Sequence, residues 1–342
     1  VRFLVALLCS VLIVSWRRVV RGPRATSWTW GFEVVTEALR RFQEAVARLP
    51  LEGQRRAWSA LRPATPTLRR VGQTRETIAG VPVLWLVPDS AGDDAPVLVY
   101  AHGGSFIHGS AESHGELCAR LAVASQAKLA FVEYRLAPEH PFPAALEDLA
   151  AVCTHLCATH GAHKVLLAGD SSGGNLVLAH LLELRDAGAD LPRAAIAISP
   201  WVDLGARGGS LESNEPYDWA RAWMLTSWAD AYVGAHASLE DPRVSPLRGE
   251  LDGLPPLHLL VGSGELLADQ VRAFAAKARA AGVEVQETIA PEMVHGWMSQ
   301  APLFPRCQEA IDEVGRFVVS ICRATPELSR AEAPRAASPH SP

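Results

Sequence analysis

The chain has 342 residues, 49% apolar and 20% charged, so it can bury a sizeable core; wholesale disorder, a collagen-like repeat and a disulfide-dense miniprotein are excluded. Lys plus Arg is 32 and Asp plus Glu is 37, a net charge of −5 that argues against a general nucleic-acid binder, which needs a basic face. The length fits two domains or one large α/β domain with an insert.

An uncharged run, Phe3 to Trp16, is followed by Arg17 and Arg18. It is short for a membrane span, and no small-x-small cleavage site follows it before the arginines. Three readings stand: a helix packed on the protein, a membrane contact through residues 3–16, or a signal segment. Residues 17 to about 60 read as helical. Val34, Val35, Ala38, Leu39, Phe42, Val46 and Leu49 recur at spacings of three and four, and Pro50 stops the pattern.

From about residue 76, short β-rich runs alternate with helical ones. The expected strands are Val83–Val87, Val97–Ala101, Leu129–Glu133, Val165–Ala168, Ala194–Ser199, Leu257–Val261 and Val283–Ile289. The expected helices include His114–Ser125, Pro143–His160, Gly174–Ala187 and Leu267–Ala281. This alternation predicts an α/β fold, a mostly parallel sheet covered on both faces, with chemistry at the carboxyl ends of the strands. Residues 202 to about 240 carry Tyr217, Trp219, Trp223 and Trp228 and no strand, and read as a helical insert. From about Arg323 to Pro342 the composition is that of a disordered tail. The six cysteines, Cys9, Cys118, Cys153, Cys157, Cys307 and Cys322, make no disulfide framework and read as thiols in a reducing compartment, with a cytoplasmic location expected.

The strongest local signal is Gly169-Asp170-Ser171-Ser172-Gly173, between the strand Val165–Ala168 and a helix. Strand, sharp turn and helix is the setting of a nucleophile elbow, with Ser171 lifted above the sheet and a helix N-terminus beneath it. Ser172 has Asp170 rather than glycine two positions before it; it reads as an oxyanion donor through its backbone amide. His102-Gly103-Gly104-Ser105-Phe106 follows the strand Val97–Ala101, and the amides of Gly103 and Gly104 are the expected second half of that hole.

A serine nucleophile needs a base, and the base an orienting carboxylate; in hydrolases built on such an elbow the chain order is Ser, acid, His. Four histidines follow the elbow helix. His258 lies within a strand, His236 in the insert and His340 in the tail, which leaves His295 as the base. Glu265 is the first carboxylate beyond the strand Leu257–Val261, with Asp269 as runner-up, whose alternative role is a helix-start charge. Cys153, His155, Cys157, His160 and His163 crowd one helix but match no zinc spacing, so no metal is expected. Asp203, near Trp201, reads as a carboxylate orienting a neighbouring loop. There is no phosphate-binding loop, and no nucleotide cofactor is indicated.

These motifs, together with the stretch Tyr134 to Ala145 (YRLAPEHPFPAA), Ser199-Pro200-Trp201-Val202-Asp203-Leu204 and Met293-Val294-His295-Gly296, resemble the bacterial hormone-sensitive-lipase-like esterases, also called family IV. The resemblance spans roughly residues 20 to 320. It implies an α/β-hydrolase fold with a helical cap, and a carboxylesterase acting on short-chain acyl esters. The residues carried over are Ser171 as nucleophile, His295 as base and Gly103, Gly104 and Ser172 as oxyanion donors.

The implied organisation is 1–55 as N-terminal cap helices, 56–201 and 236–322 as catalytic domain, 202–235 as cap insert and 323–342 as tail. Two positions depart from the family pattern. Ser105 stands where a third glycine is common, and Glu265 where aspartate is common. Trp28, Trp30, Trp219, Trp223 and Trp228 suggest an apolar wall limiting the acyl chain. A small-molecule ester is the expected partner, with a homodimer left open. The alternatives are an amide or lactone hydrolase, a non-catalytic ligand-binding member of the fold, and a membrane-anchored scaffold resting on residues 3–16.

Overall fold

The computed structural model of the chain describes residues 2–60, 65–235 and 237–324; His236, His340 and the tail beyond residue 324 lie outside the described residues. The described strands form one sheet of eight. They are β1 (Gly72–Ile78), β2 (Val81–Val87), β3 (Val97–Ala101), β4 (Lys128–Val132), β5 (Val165–Asp170), β6 (Ala195–Ile198), β7 (Leu257–Gly262) and β8 (Val285–Ala290). Their spatial order is β1-β2-β4-β3-β5-β6-β7-β8. β2 pairs antiparallel with both β1 and β4, and every later pairing is parallel.

The central strands are apolar throughout because both faces are covered. Every residue of β3 and of β7 is buried. β1 is the strand that the sequence pattern did not reveal. Six of its seven residues are exposed, so its side chains are polar and carry no alternation. It is an edge strand, and the two-residue turn Ala79-Gly80, both at positive φ, sets its register against β2.

The helices are α1 (Arg2–Arg21), α2 (Trp30–Val46), α3 (Leu51–Ser59), α4 (Ala111–Ser125), α5 (Ala144–His160), α6 (Ser172–Asp186), α7 (Ser210–Ser213), α8 (Ala222–Val233), α9 (Ala268–Ala280) and α10 (Pro305–Arg323). Two apolar clusters sandwich the sheet. One joins α5, α6 and α9 to one face, and the other joins α4 and α10 to the opposite face.

The expected helical stretch from 17 to 60 is three helices. The first ends at Gly22, whose φ of 80° is poorly tolerated by other residues, and α2 starts where the Thr29 side chain accepts the Phe32 amide. α2 and α3 reach the insert and the loop after β3. Arg40 donates to the Pro216 carbonyl at 2.8 Å, Arg221 pairs with Glu44, and Gln43 reaches the Met224 sulfur. From α3, Arg55 donates to the carbonyls of Ile107 and Ala137, each at 2.8 Å.

Candidate active site

The site is built at the carboxyl ends of β3, β5, β7 and β8. Ser171 joins β5 to α6 at φ 54° and ψ −118°, a strained conformation for a residue with a side chain. The glycines around it are demanded by space. A Cβ on Gly169 would lie 2.5 Å from the Gly173 backbone, and one on Gly173 would lie 2.0 Å from the Ala101 carbonyl oxygen. The sharp turn therefore exists only because neither position carries a side chain.

His295 Nε2 lies 2.9 Å from Ser171 Oγ, and His295 Nδ1 lies 3.0 Å from Glu265 Oε2. Glu265 is fully buried. Its other oxygen accepts from Ser199 Oγ at 2.7 Å and from the Gly262 amide at 2.6 Å. A buried carboxylate needs its lone pairs satisfied, and these donors aim it at the ring. Burial works against the charged form of His295, but the Glu265 hydrogen bond and the negative charges of Glu265, Asp218 and Asp170 outweigh it and raise the imidazole above its ordinary value. The runner-up acid, Asp269, is elsewhere. Its carboxylate accepts the Ser210 amide at 2.8 Å, at the start of α9.

The loop after β3 corrects one expectation. The Gly103 amide donates to Asp170 Oδ1 at 2.8 Å, so it is engaged inside the protein rather than free to receive an incoming oxygen. Gly103 is glycine because a Cβ there would meet Asp170 Oδ2 at 2.3 Å. The amides of Gly104, Ser105 and Ser172 have no protein acceptor among the described residues. The backbone turns left-handed through Gly104, Ser105 and Phe106, at φ 123°, 57° and 63°. That turn rotates the two amides after Gly103 away from Asp170. The loop is tied to the elbow where the Phe106 amide donates to Ser172 Oγ at 3.2 Å.

Beneath the loop lies a polar group that sequence reasoning did not single out. Asp170 also accepts from Tyr100 at 2.7 Å, while the Tyr134 hydroxyl donates to the His102 carbonyl at 2.6 Å. Burial opposes the Asp170 charge, yet His114, Tyr100 and the Gly103 amide bring its carboxyl down to about 2. Burial, aided by nearby His114, pushes His102 down to about 3, so it is neutral and stacks on Tyr134 with ring centroids 4.2 Å apart.

The most informative unpredicted residue is Asp218, in the insert. It is fully buried, and it accepts three backbone amides: His295 at 3.1 Å, Trp219 at 2.8 Å and Leu266 at 2.9 Å. The Trp219 indole N–H donates to the His295 carbonyl at 2.6 Å. Both backbone groups of the histidine are thus held by the insert. Burial and the Glu265 charge push Asp218 up to about 6, against the pull of His295 and its amide donors. The same loop is held from the N-terminal side. Glu292 accepts the Ser27 amide at 2.6 Å, and the Trp28 indole donates to the Glu292 carbonyl at 2.7 Å.

The tryptophan wall is also corrected. Trp28 is buried against Phe32, whereas Trp30 and Trp223 are largely exposed; none of the three contacts the histidine. Trp219 lies 5.9 Å from the His295 ring, and Trp58, which the sequence pattern did not distinguish, lies 5.7 Å from Trp219. Trp228 stands edge-on to His108. The other weighed residues fall outside the site. His258 is buried in β7 within 3.0 Å of Thr288 Oγ1. Asp203 accepts from the Gly205 amide and from Arg248, both at 3.0 Å, and so braces its own loop. Cys153 and Cys157 make a sulfur–sulfur contact of 3.9 Å, and all six cysteines are free thiols.

A serine, imidazole and carboxylate in relay, on an elbow of this geometry, point to acyl transfer, and the comparisons agree. Residues 98–299 match the family model described as the α/β hydrolase fold. An acetyl-hydrolase of Streptomyces hygroscopicus is 40% identical over 68% of this chain and 78% of its own. An esterase of Acinetobacter venetianus is 34% identical over 66% of this chain and 75% of its own. A solved esterase of the bacterial hormone-sensitive lipase family superposes with a TM-score of 0.78 at 34% identity, covering 84% of this chain and 98% of that one. The chain belongs to the α/β-hydrolase family, among the bacterial hormone-sensitive-lipase-like esterases, and is a serine carboxylic-ester hydrolase.

Proposed function

We propose that the chain hydrolyses short-to-medium acyl esters through a Ser171–His295–Glu265 triad and an acyl-enzyme. The observation that carries this reading is the unbroken relay from Ser171 Oγ through the His295 ring to Glu265, with links of 2.9 and 3.0 Å. Ser171 Oγ attacks the ester carbonyl carbon while His295 Nε2 takes its proton. The carbonyl electron pair moves onto oxygen, and the amides of Gly104, Ser105 and Ser172 receive it. The C–O bond to the alcohol then breaks, and His295 returns the proton to the departing oxygen. Water gives a proton to His295 as it attacks the acyl carbon, and the carboxylic acid leaves as Ser171 Oγ is reprotonated. Glu265 fixes the ring tautomer and stabilises the imidazolium.

We assign α2, α3 and the 202–235 insert to a cap over this site. Trp219 beside the histidine, backed by Trp58, supports a restricted acyl space of about two to eight carbons. One relative is named an acetyl-hydrolase, which also favours short acyl groups. The free thiols favour a reducing, cytoplasmic setting.

The test is hydrolysis of a p-nitrophenyl ester series from acetyl to palmitoyl. Turnover should peak at butyryl. Ser171→Ala should lower kcat by about 10⁴- to 10⁶-fold and Glu265→Gln by about 10³- to 10⁴-fold. A Ser171→Ala enzyme with undiminished turnover, or a maximum at palmitoyl, would reject the reading.

A further inference from the structure

Helix α1 is apolar on the wrong side for a helix in water. Its inward face is Ala6, Ser10 and Val14, small or branched residues packed towards α2, with Phe3 edge-on to Phe42 at 5.8 Å. Its outward face carries Leu4, Leu8, Leu12, Trp16, Val19 and Val20, all exposed; Leu12 is 72% exposed and Val19 is 88% exposed. An amphipathic helix of a water-soluble protein turns a polar face outward. Here the apolar side faces out. The four charges of the helix are Arg2, Arg17, Arg18 and Arg21, all positive in a chain whose net charge is −5.

We propose that α1 lies in the plane of an anionic lipid surface, with this outward face in the acyl region and the exposed Arg2 and Arg21 at the headgroups. Charge supports lipid over a second copy of the chain. Arg17 and Arg18 are paired with Glu33, which leaves Arg2 and Arg21 as the exposed charges of the helix; both are positive, which favours a negative counterpart, whereas an identical helix would repel them. Exposed Trp16 beside the arginines is a further interfacial feature.

Lying in the plane also agrees with the anchors of the inner face better than spanning does. The helix is long and apolar enough to cross a bilayer, with a mean hydropathy of 2.0. Crossing would pull it from α2, however. Glu33, 1% exposed and paired with Arg17 and Arg18, would lose both cations, and Phe42 and Val46 would lose their cover. A helix in the plane keeps every one of these contacts.

The test is flotation of the full chain with vesicles of equimolar phosphatidylcholine and phosphatidylglycerol, and with vesicles of phosphatidylcholine alone. The protein should float with the anionic vesicles, and about 1 M salt or a carbonate wash should release much of it, because its charges are then screened. L8E/L12E should weaken binding about a hundredfold or more, since two leucines no longer enter the apolar layer. Both leucines lie remote from the triad, so turnover of p-nitrophenyl butyrate in solution should match the parent. That assay also separates failure here from failure of the esterase reading. Arg21→Glu, at an exposed position, should reduce binding to anionic vesicles while leaving the weaker phosphatidylcholine binding unchanged.

No flotation of the parent, or equal flotation of L8E/L12E, would overturn the proposal. So would resistance to carbonate, which marks a spanning helix. A dimer in lipid-free solution that L8E/L12E dissolves, without any vesicle binding by the parent, would assign the face to a second copy.

Discussion

Replacing Asp218 by asparagine removes the charge and one acceptor from a carboxylate that lies outside the triad but grips it. The carboxyl rises from 3.8 to about 6 on folding, first because it is buried and then because Glu265 is near. A carboxyl raised on folding contributes stability that is complete below pH 3.8 and lost as the pH climbs through about 6. The difference corresponds to about 3 kcal/mol that ionised Asp218 costs the fold at pH 8. Asparagine removes that cost. In exchange its amide group must face either the Leu266 amide or the amides of His295 and Trp219, a donor against a donor, at about 1–3 kcal/mol. The two terms nearly cancel, so the melting temperature at pH 8 should change little.

Activity should respond differently. The His295 backbone amide keeps at most a neutral acceptor in place of a carboxylate, and the imidazolium loses one of the negative charges that stabilise it. A fall in kcat of about 10- to 100-fold is expected. Asp218 is also among the charges that raise His295, so the acid limb of kcat/KM should move to lower pH in the variant. The assay is a pH profile of p-nitrophenyl butyrate hydrolysis for both enzymes, with thermal melts alongside. An unmoved acid limb with kcat within about twofold of the parent would refute the reasoning. A collapse of the melting temperature would show that the carboxylate is needed for folding instead.

Other outcomes follow from the same geometry. In the parent enzyme kcat/KM should fall as the pH drops through a midpoint above 6.5, because His295 must be neutral to take the serine proton and its environment raises it; stopped-rate assays across that range measure the midpoint. Ser199→Ala leaves Glu265 Oε1 with the Gly262 amide as its remaining donor, and a loss of about 1–3 kcal/mol in transition-state stabilisation should appear as a kcat reduced about tenfold or more. Ser105→Gly should raise stability by about 0.5–1 kcal/mol, since relief of left-handed strain at φ 57° exceeds the added chain entropy, and should leave kcat near the parent value because the donor is the backbone amide; denaturant melts and ester assays test both halves.

What the amino-acid sequence determines here is whatever local sterics and periodicity encode. The apolar runs of β3, β5 and β7 predict buried parallel strands because both faces of such strands are covered. The glycines around Ser171 mark the elbow because no Cβ fits there. Chain order and strand ends narrow twelve histidines and 37 acids to His295 and to Glu265, with Asp269 as runner-up. Tertiary structure alone decides matters that depend on partners distant in the chain.

The Gly103 amide is claimed by Asp170, 67 residues on, so the unengaged amides begin one residue further along a loop whose sequence looks the same either way. Asp218 reads as one more acidic residue in an insert until folding buries it against the His295 amide, 77 residues away. Trp219 lies beside the histidine with Trp58 against it, while Trp30 and Trp223 face outward, because helix packing, not composition, chooses which aromatic rings come near a site. Even for α1, the hydropathy is legible in the sequence, but the direction its apolar face points is set by Glu33 and by the small residues that seat it on α2.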